Sequence, residues 1–306
     1  KVLHMISLHL VEQVIASSIY LTTPILLAGI GGLVNRQAGI VNIALEAKML
    51  VGAFVAIVVS SATGGWFLAV ISAGVVAAGV GYLFSLTITR ANANMIVAGL
   101  GLNILVAGGL GFILSWNFGT SGTLRLPDIH LLPKILDASV AAIPFVGAML
   151  SGLDPLTLFA WATVAALPFL LANTRIGLHL RAAGNAPHVA RGVGLREKLL
   201  QDMGTTFAGF YSGLAGAHLS LASIGLFNEG ITAGRGFIAL AAFYFARNRP
   251  IGTAMVCLLF GFLDASQIRL QTAGLPPKLI STIPYLMVLI ALCIAGWRER
   301  ERNELR

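Results

Sequence analysis

Charge is scarce in this chain: only 10% of its 306 residues are Asp, Glu, Lys or Arg, whereas 57% are hydrophobic. An ordinary soluble domain carries roughly a quarter charged residues, so the shortage argues against a common water-soluble fold. Cysteine is nearly absent as well. Cys257 and Cys293 both lie inside apolar runs, without the spacing of a disulfide framework or a zinc site. Catalytic signatures are missing too: there is no G-x-x-x-x-G-K-[ST] loop, no H-E-x-x-H, no G-x-S-x-G elbow and no dinucleotide fingerprint placed between a strand and a helix. His179, His188 and His218 are scattered, so no metal cage is implied. The formal charge of +8 does not point to nucleic acid, because the basic residues gather at the ends of apolar runs. No short apolar segment with an A-x-A-like cleavage site stands at the N-terminus, so insertion through internal spans is expected.

What the chain has in abundance is long apolar runs, at about 12–34, 40–63, 66–89, 93–115, 155–173, 201–224, 235–247, 250–267 and 279–297. Runs of about 18 or more apolar residues read as transmembrane helices. The expected fold is therefore all-α, a polytopic integral membrane protein of about 8–9 transmembrane helices, with residues 1–306 as one domain. Such a chain moves something across a membrane. Two runs depart from the pattern: 235–247 is short of the ~20 residues of a full span, and 40–63 opens on polar residues. Segments of that kind make broken or re-entrant helices.

Polar stretches orient the runs. Residues 174–200 carry Arg175, Arg181, Arg191, Arg196 and Lys198, which places this loop in the cytoplasm. Arg298, Arg300 and Arg302 put the tail on the same side, and four crossings between loop and tail satisfy that parity if 235–247 crosses. Residues 116–154 then lie outside, with Ile143–Gly147 as an interfacial hairpin, and the N-terminus falls outside unless the segment near residue 40 re-enters. The halves 12–115 and 201–297 each hold a short helix introduced by small residues, at Gly39–Glu46 and Glu229–Gly236. Under this topology the two point in opposite directions, as in inverted repeats with a path at their interface.

Charges at membrane depth default to functional candidates, here Glu46, Lys48, Glu229, Arg235, Asp264 and Arg269. Glu46 and Lys48 either line a path or snorkel to a surface. Asn103 either meets a polar solute or ties two helices together. The stretch Glu229–Gly236 is either a glycine-rich external turn or irregular backbone lining a cavity. In the basic loop, Gly184-Asn185-Ala186-Pro187 reads as a helix break leading to one compact helix, 188–193, closed by Gly194.

Four stretches together resemble the permease subunits of bacterial ABC importers in the branched-chain amino acid, ribose and nucleoside group. They are Gly39–Glu46 with Met49–Phe54, Leu180–Gly194, Glu229–Ala242, and Asp264–Gln271 followed by Leu275-Pro276-Pro277 and Ile283–Leu286. The third and fourth look most like the subgroup importing purine nucleosides or simple sugars. The resemblance implies a type II importer-like fold with inverted repeats in a bacterial plasma (inner) membrane. It further implies a second, different permease chain, two cytoplasmic ATPase subunits carrying ATP and Mg, and an extracytoplasmic solute-binding protein. This chain itself would be no enzyme and hold no cofactor. Translocation would fall to Asn42, Glu46, Asn103, Glu229, Gly234, Arg235 and Gly236, and ATPase coupling to Gly184, Asn185, Pro187, Ala190, Arg191 and Gly194. Members with ten spans carry one helix before the region matching 12–34, and its lack here agrees with an external N-terminus. Departures are Ala47 for the usual glycine, Lys48 for an apolar residue, and the bulky, basic Phe243–Arg249. A gradient-driven carrier, with Glu46 or Glu229 as its ion site, is the rival reading.

Overall fold

The computed structural model describes residues 2–135 and 152–272, which are helical almost throughout. In chain order they form α1 (Val2–Gln37), α2 (Leu45–Thr63), α3 (Trp66–Thr89), α4 (Met95–Phe118) and a short strand β1 (Thr123–Leu124). These are followed by α5 (Pro155–Asn173), α6 (Arg175–Asn185), α7 (Pro187–Gly192), α8 (Glu197–His218) with a π-helical turn (Leu219–Ile224), β2 (Phe227–Asn228), α9 (Arg235–Phe245) and α10 (Pro250–Thr272). The apolar piece at 143–147, the run at 279–297, the basic tail and the motif residues beyond 272 lie outside the described residues.

Local signals set the helix ends. Asn94 accepts from the Ile96 and Val97 N–H groups, and Asp154 caps α5 ahead of Pro155, so both starts supply acceptors for otherwise unpaired donors. Gly64 and Gly119 close α2 and α4 in the left-handed conformation, at φ +64° and +62°. Six helices among the described residues are long and apolar enough to cross a membrane: α1 from Val14, then α2, α3, α4, α5 and α10.

Residues 201–224 were expected to form another span, and the structure places α8 at the centre of the bundle, packed on α1, α2 and α3. Backbone-to-backbone contact makes this possible. Gly213 lies against Ala73 O and Gly52, Gly216 against Met49 O, and a Cβ at Gly81 would sit 2.7 Å from Thr205 O. Small residues allow such close approach in membrane helices. Because its neighbours cover it, α8 tolerates polar residues that a lipid-facing helix would not. By contrast, only 11% of the most apolar stretch of α4 is buried, and Ile104, Leu105 and Trp116 are among its exposed residues.

Contacts order the two ends of the bundle. Gly39, just after α1, packs on Gly184 of α6, and Gln37 donates to Asn248 O just after α9, so these segments share the basic-loop end. At the far end, Ser60 bonds to the His130 backbone and β1 pairs with β2 in antiparallel register, Thr123 opposite Asn228. α2 therefore runs away from the basic end and α9 toward it. With 11 residues, α9 covers only part of the bundle depth, and the turns at 229–234, after β2, supply the rest of that passage.

Candidate functional site

α2 does not continue α1. Gly39, at φ +96°, turns the chain, and 40–44 run without regular helix until Leu45. The expected helix from residue 40 is shortened accordingly. α9 starts in a similar way, after the turn residues Ala233 (φ +45°) and Gly234 (φ +77°). Two helix starts, each with unpaired N–H donors, thus face each other inside the bundle.

Side chains from across the bundle serve both starts. Asn103 on α4 accepts from the Ala47 N–H at 3.0 Å and donates to Ile43 O at 3.2 Å, tying α4 to the beginning of α2. Glu46, one residue before, reaches to α9: Oε1 accepts from Gly234 N–H at 2.8 Å and Oε2 from Gly236 N–H at 2.7 Å. A carboxylate is the favourable charge at a helix N-terminus. Gly236 permits the approach, since a Cβ there would stand 2.5 Å from Glu46 N. Above this junction lies a cavity of about 420 Å³, lined by Glu46, Leu50, Asn103, Ile104, Glu229 and Thr232 together with the 233–234 backbone. Its size falls within the range of small-molecule sites, about 300–1,000 Å³.

Glu229 is placed by the strand pairing next to it. Its N–H donates to Gly122 O at 2.9 Å, and its Oε1 accepts from Gly122 N–H at 3.3 Å. Gly111 of α4 faces the carboxylate, and a Cβ there would lie 3.3 Å from Oε1.

Of the residues singled out for translocation, Glu46, Asn103, Glu229 and Gly234 meet at this one cavity. Gly236 stands behind it in the Glu46 bond. Arg235 points to α10, with Nη2 3.7 Å from Asp264 Oδ2 and Nη1 donating to Ile231 O at 3.3 Å. Asn42 is fully buried off the cavity, accepting from Ala44 N–H at 3.2 Å and from the Lys48 ammonium at 2.9 Å. Lys48 does not snorkel. It is 0% exposed, and its Nζ lies 4.5 Å from the Phe84 ring centroid.

At the basic end the loop holds two helices where one was expected. Gly184 and Asn185 do not break a helix but complete α6, because glycine at 184 lets α6 pack directly on Gln37 O and Gly39 N. The break falls at Ala186, after which Pro187 opens α7 with a fixed φ and no orphan N–H. Ala190 is buried, whereas Val189 and Val193 are 67% and 71% exposed. Arg191 bonds to Glu197 at 2.9 Å, joining α7 to the start of α8, and Gly194 turns between them at φ +82°.

Two buried polar clusters were not foreseen. Asp202, 2% exposed, accepts from Ser85 Oγ at 2.6 Å, Thr89 Oγ1 at 3.1 Å and Arg90 Nη1 at 2.8 Å. An acid in an apolar run had to find partners, and Thr89-Arg90 at the end of the third run was the readable signal. At the far end Asp154 joins His218 at 3.0 Å and both the N–H and the hydroxyl of Thr157. Burial pushes the Asp154 carboxyl pKa up, but the His218 bond and charge and the two Thr157 bonds outweigh it and hold it down at about 2.

Comparison with known proteins then decides the class. Residues 14–292 match the family described as branched-chain amino acid transport system / permease component. The chain belongs to that family. It is 30% identical to the putative glucose ABC transporter permease protein TsgC13 of Haloferax volcanii, over 91% of this chain and 90% of the relative. It is 30% identical to the nucleoside ABC transporter permease protein NupC of Lactococcus lactis, over 92% of both chains. It is 28% identical to the guanosine ABC transporter permease protein NupQ of Bacillus subtilis, over 91% of this chain and 90% of the relative. No solved structure matches. The protein is thus an ABC importer permease subunit for a small polar solute, a polytopic membrane protein.

Proposed function

We propose that this permease forms half of the path of an ATP-driven nucleoside importer in a bacterial plasma membrane, with a second, different permease chain completing the path. Two ATPase subunits hydrolyse ATP with Mg at the basic, cytoplasmic end, and an extracytoplasmic solute-binding protein delivers solute at the far end. The observation that carries this reading is the cavity at the facing starts of α2 and α9. Both helices begin there and run in opposite directions, which supports an inverted repeat with the path at its interface. The nucleoside and guanosine permeases among the relatives support the solute.

Coupling follows from the packing. α7 offers Val189 and Val193 to a partner groove. A displacement of α7 reaches α8 through Arg191–Glu197, and α8 grips α2 and α3 by backbone contact. A second route runs from Gly184 to Gly39, along 40–44 to Glu46, and so to the start of α9. Packed elements of this kind move as rigid bodies, so closure of an ATPase dimer at one end changes the cavity in the middle.

The test is reconstitution in liposomes with the cognate ATPase subunits and binding protein. ATP-dependent nucleoside uptake is expected, and uptake without any ATPase subunit would instead support a gradient-driven carrier. A simple sugar is the second reading, favoured by the similarity to the glucose permease. A binding protein that retains only a branched-chain amino acid removes both solutes.

A further inference from the structure

The cavity is lined by four polar side chains, Glu46, Asn103, Glu229 and Thr232, and two of them are already spent. Both carboxylate oxygens of Glu46 accept from the α9 backbone, and both ends of the Asn103 amide are bonded to 43–47. These two hold the site together. Glu229 is different. It is exposed, its one side-chain bond is the 3.3 Å contact from Gly122 N–H to Oε1, and Oε2 has no hydrogen bond or ion pair among the described residues. An ionised carboxylate has about four acceptor positions, so most of its capacity is open to the cavity. Thr232 adds a second open group: it is 4% exposed, and its hydroxyl bonds to none of the described residues. The neighbouring guanidinium, Arg235, is turned to Asp264 and Ile231 O. Leu50, Ile104 and Ala107 make the remaining wall apolar.

This combination is selective. A solute with hydroxyls around its whole perimeter would leave several of them against Leu50, Ile104 and Ala107, at the cost of burying polar groups unpaired. A flat heterocycle lays its apolar face on that wall and needs partners along one edge only. Two adjacent N–H donors on that edge match the two oxygens of a carboxylate, the geometry that makes bidentate pairs both strong and directional. Guanine has such an edge. Adenine sets a donor beside a ring acceptor, which faces the carboxylate unfavourably.

We infer that Glu229 is the solute-selecting residue of the cavity, its carboxylate accepting from the paired N–H edge of a guanine-type nucleoside with Thr232 as the second contact. The inference rests on the importer reading and adds the solute edge recognised within the path.

The experiment measures competing uptake of guanosine and adenosine by the complete complex in proteoliposomes. The same binding protein serves wild type and variants, so its own preference cancels. A bidentate match to one base edge discriminates against the mismatched edge, so Glu229→Gln is expected to lower the guanosine-to-adenosine uptake ratio about tenfold. Thr232→Val is expected to slow both solutes and leave the ratio within about twofold of wild type. An unchanged ratio in Glu229→Gln, or equal loss of both uptakes, overturns the assignment. If that variant fails to assemble, Glu229→Asp, which draws the carboxylate back by one methylene, is judged by the same ratio. A wild-type complex that moves neither nucleoside overturns the nucleoside importer reading along with it, whereas transport of both with an unmoved ratio in the variants removes the Glu229 assignment alone.

Discussion

The starts of α2 and α9 solve one problem with opposite chemistry. Each must satisfy N–H donors inside the bundle, away from either end. α2 is served by a neutral amide, Asn103, and α9 by a carboxylate, Glu46, which itself belongs to the first turn of α2. The second cap thus depends on the first: Asn103 fixes where α2 begins, and α2 carries the group that fixes α9. Their basic residues differ as well. Arg235 at the α9 start lies near a carboxylate, Asp264, whereas Lys48 on α2 has only an amide oxygen and an aromatic face. One start is electrostatically balanced across helices, and the other is sealed within its own corner of the core. A movable junction needs the first kind of contact, since an ion pair and a carboxylate cap can be made and broken as helices shift.

Removing the shared link has the largest expected effect. Glu46→Ala strips two charge-assisted bonds and leaves the Gly234 and Gly236 donors to whatever water the cavity admits. Bonds to charged groups contribute about 1.5–3 kcal/mol each, so a loss of about 3 kcal/mol is expected, read as a lower thermal midpoint of the purified complex together with lost uptake. Unchanged stability would mean that the two starts are independent. Glu46→Gln comes next, at about 2 kcal/mol, because one amide oxygen replaces two acceptors and the amide nitrogen sets a donor against a donor. If Gln matched wild type, the charge and the second acceptor would both be dispensable. Asn103→Leu follows at about 1 kcal/mol, the usual scale of a lost cap, and should loosen the α9 start only indirectly, through the first turn of α2. Cysteine crosslinking between the 43–47 and 233–236 segments distinguishes the cases: it should be perturbed strongly in Glu46→Ala and weakly in Asn103→Leu.

The sequence reveals this architecture unevenly, for physical reasons. Apolar runs located α2 to α5 and α10 within a few residues, because lipid exposure demands apolar side chains along the whole helix. The first apolar run stops at residue 34, short of the end of α1. Asn35 and Arg36 look like a terminus, yet the helix continues to Gln37 because Asn35 is buried and accepts from Thr205 at 2.8 Å. α6 was missed as a helix for a related reason: its buried positions, Gly177, Leu180 and Ala183, recur every third residue within a basic segment whose mean hydropathy is low. At the cavity, Glu46, Asn103 and Glu229 drew attention one by one as polar groups in apolar surroundings. What no local pattern carries is which of them would be occupied by backbone from 188 residues away, as Glu46 is by Gly234. Thr89-Arg90 marks an end of the third run that could hold an acid, but no local pattern pairs it with Asp202, more than a hundred residues later in the chain.

The smallest effect is expected where the sequence looks most unusual. Lys48 carries a charge at a position where its resemblance to permeases calls for an apolar side chain, and its burial is complete. A buried charge sacrifices hydration that a single amide bond and a ring face only partly replace. Replacing it with an apolar group of similar length removes the sacrifice and the gains together, and such exchanges are often neutral or stabilising. Methionine is an unbranched side chain of similar length to the lysine stem, and Asn42 Oδ1 keeps its bond from Ala44 N–H. Lys48→Met is therefore expected to change stability by no more than about 1 kcal/mol, measured by the same thermal midpoint. A loss of several kcal/mol would show that the ammonium is an anchor of the α2 start comparable to Glu46. The two helix starts would then be alike in depending on charge, and the division between a movable junction and a sealed corner would have to be abandoned.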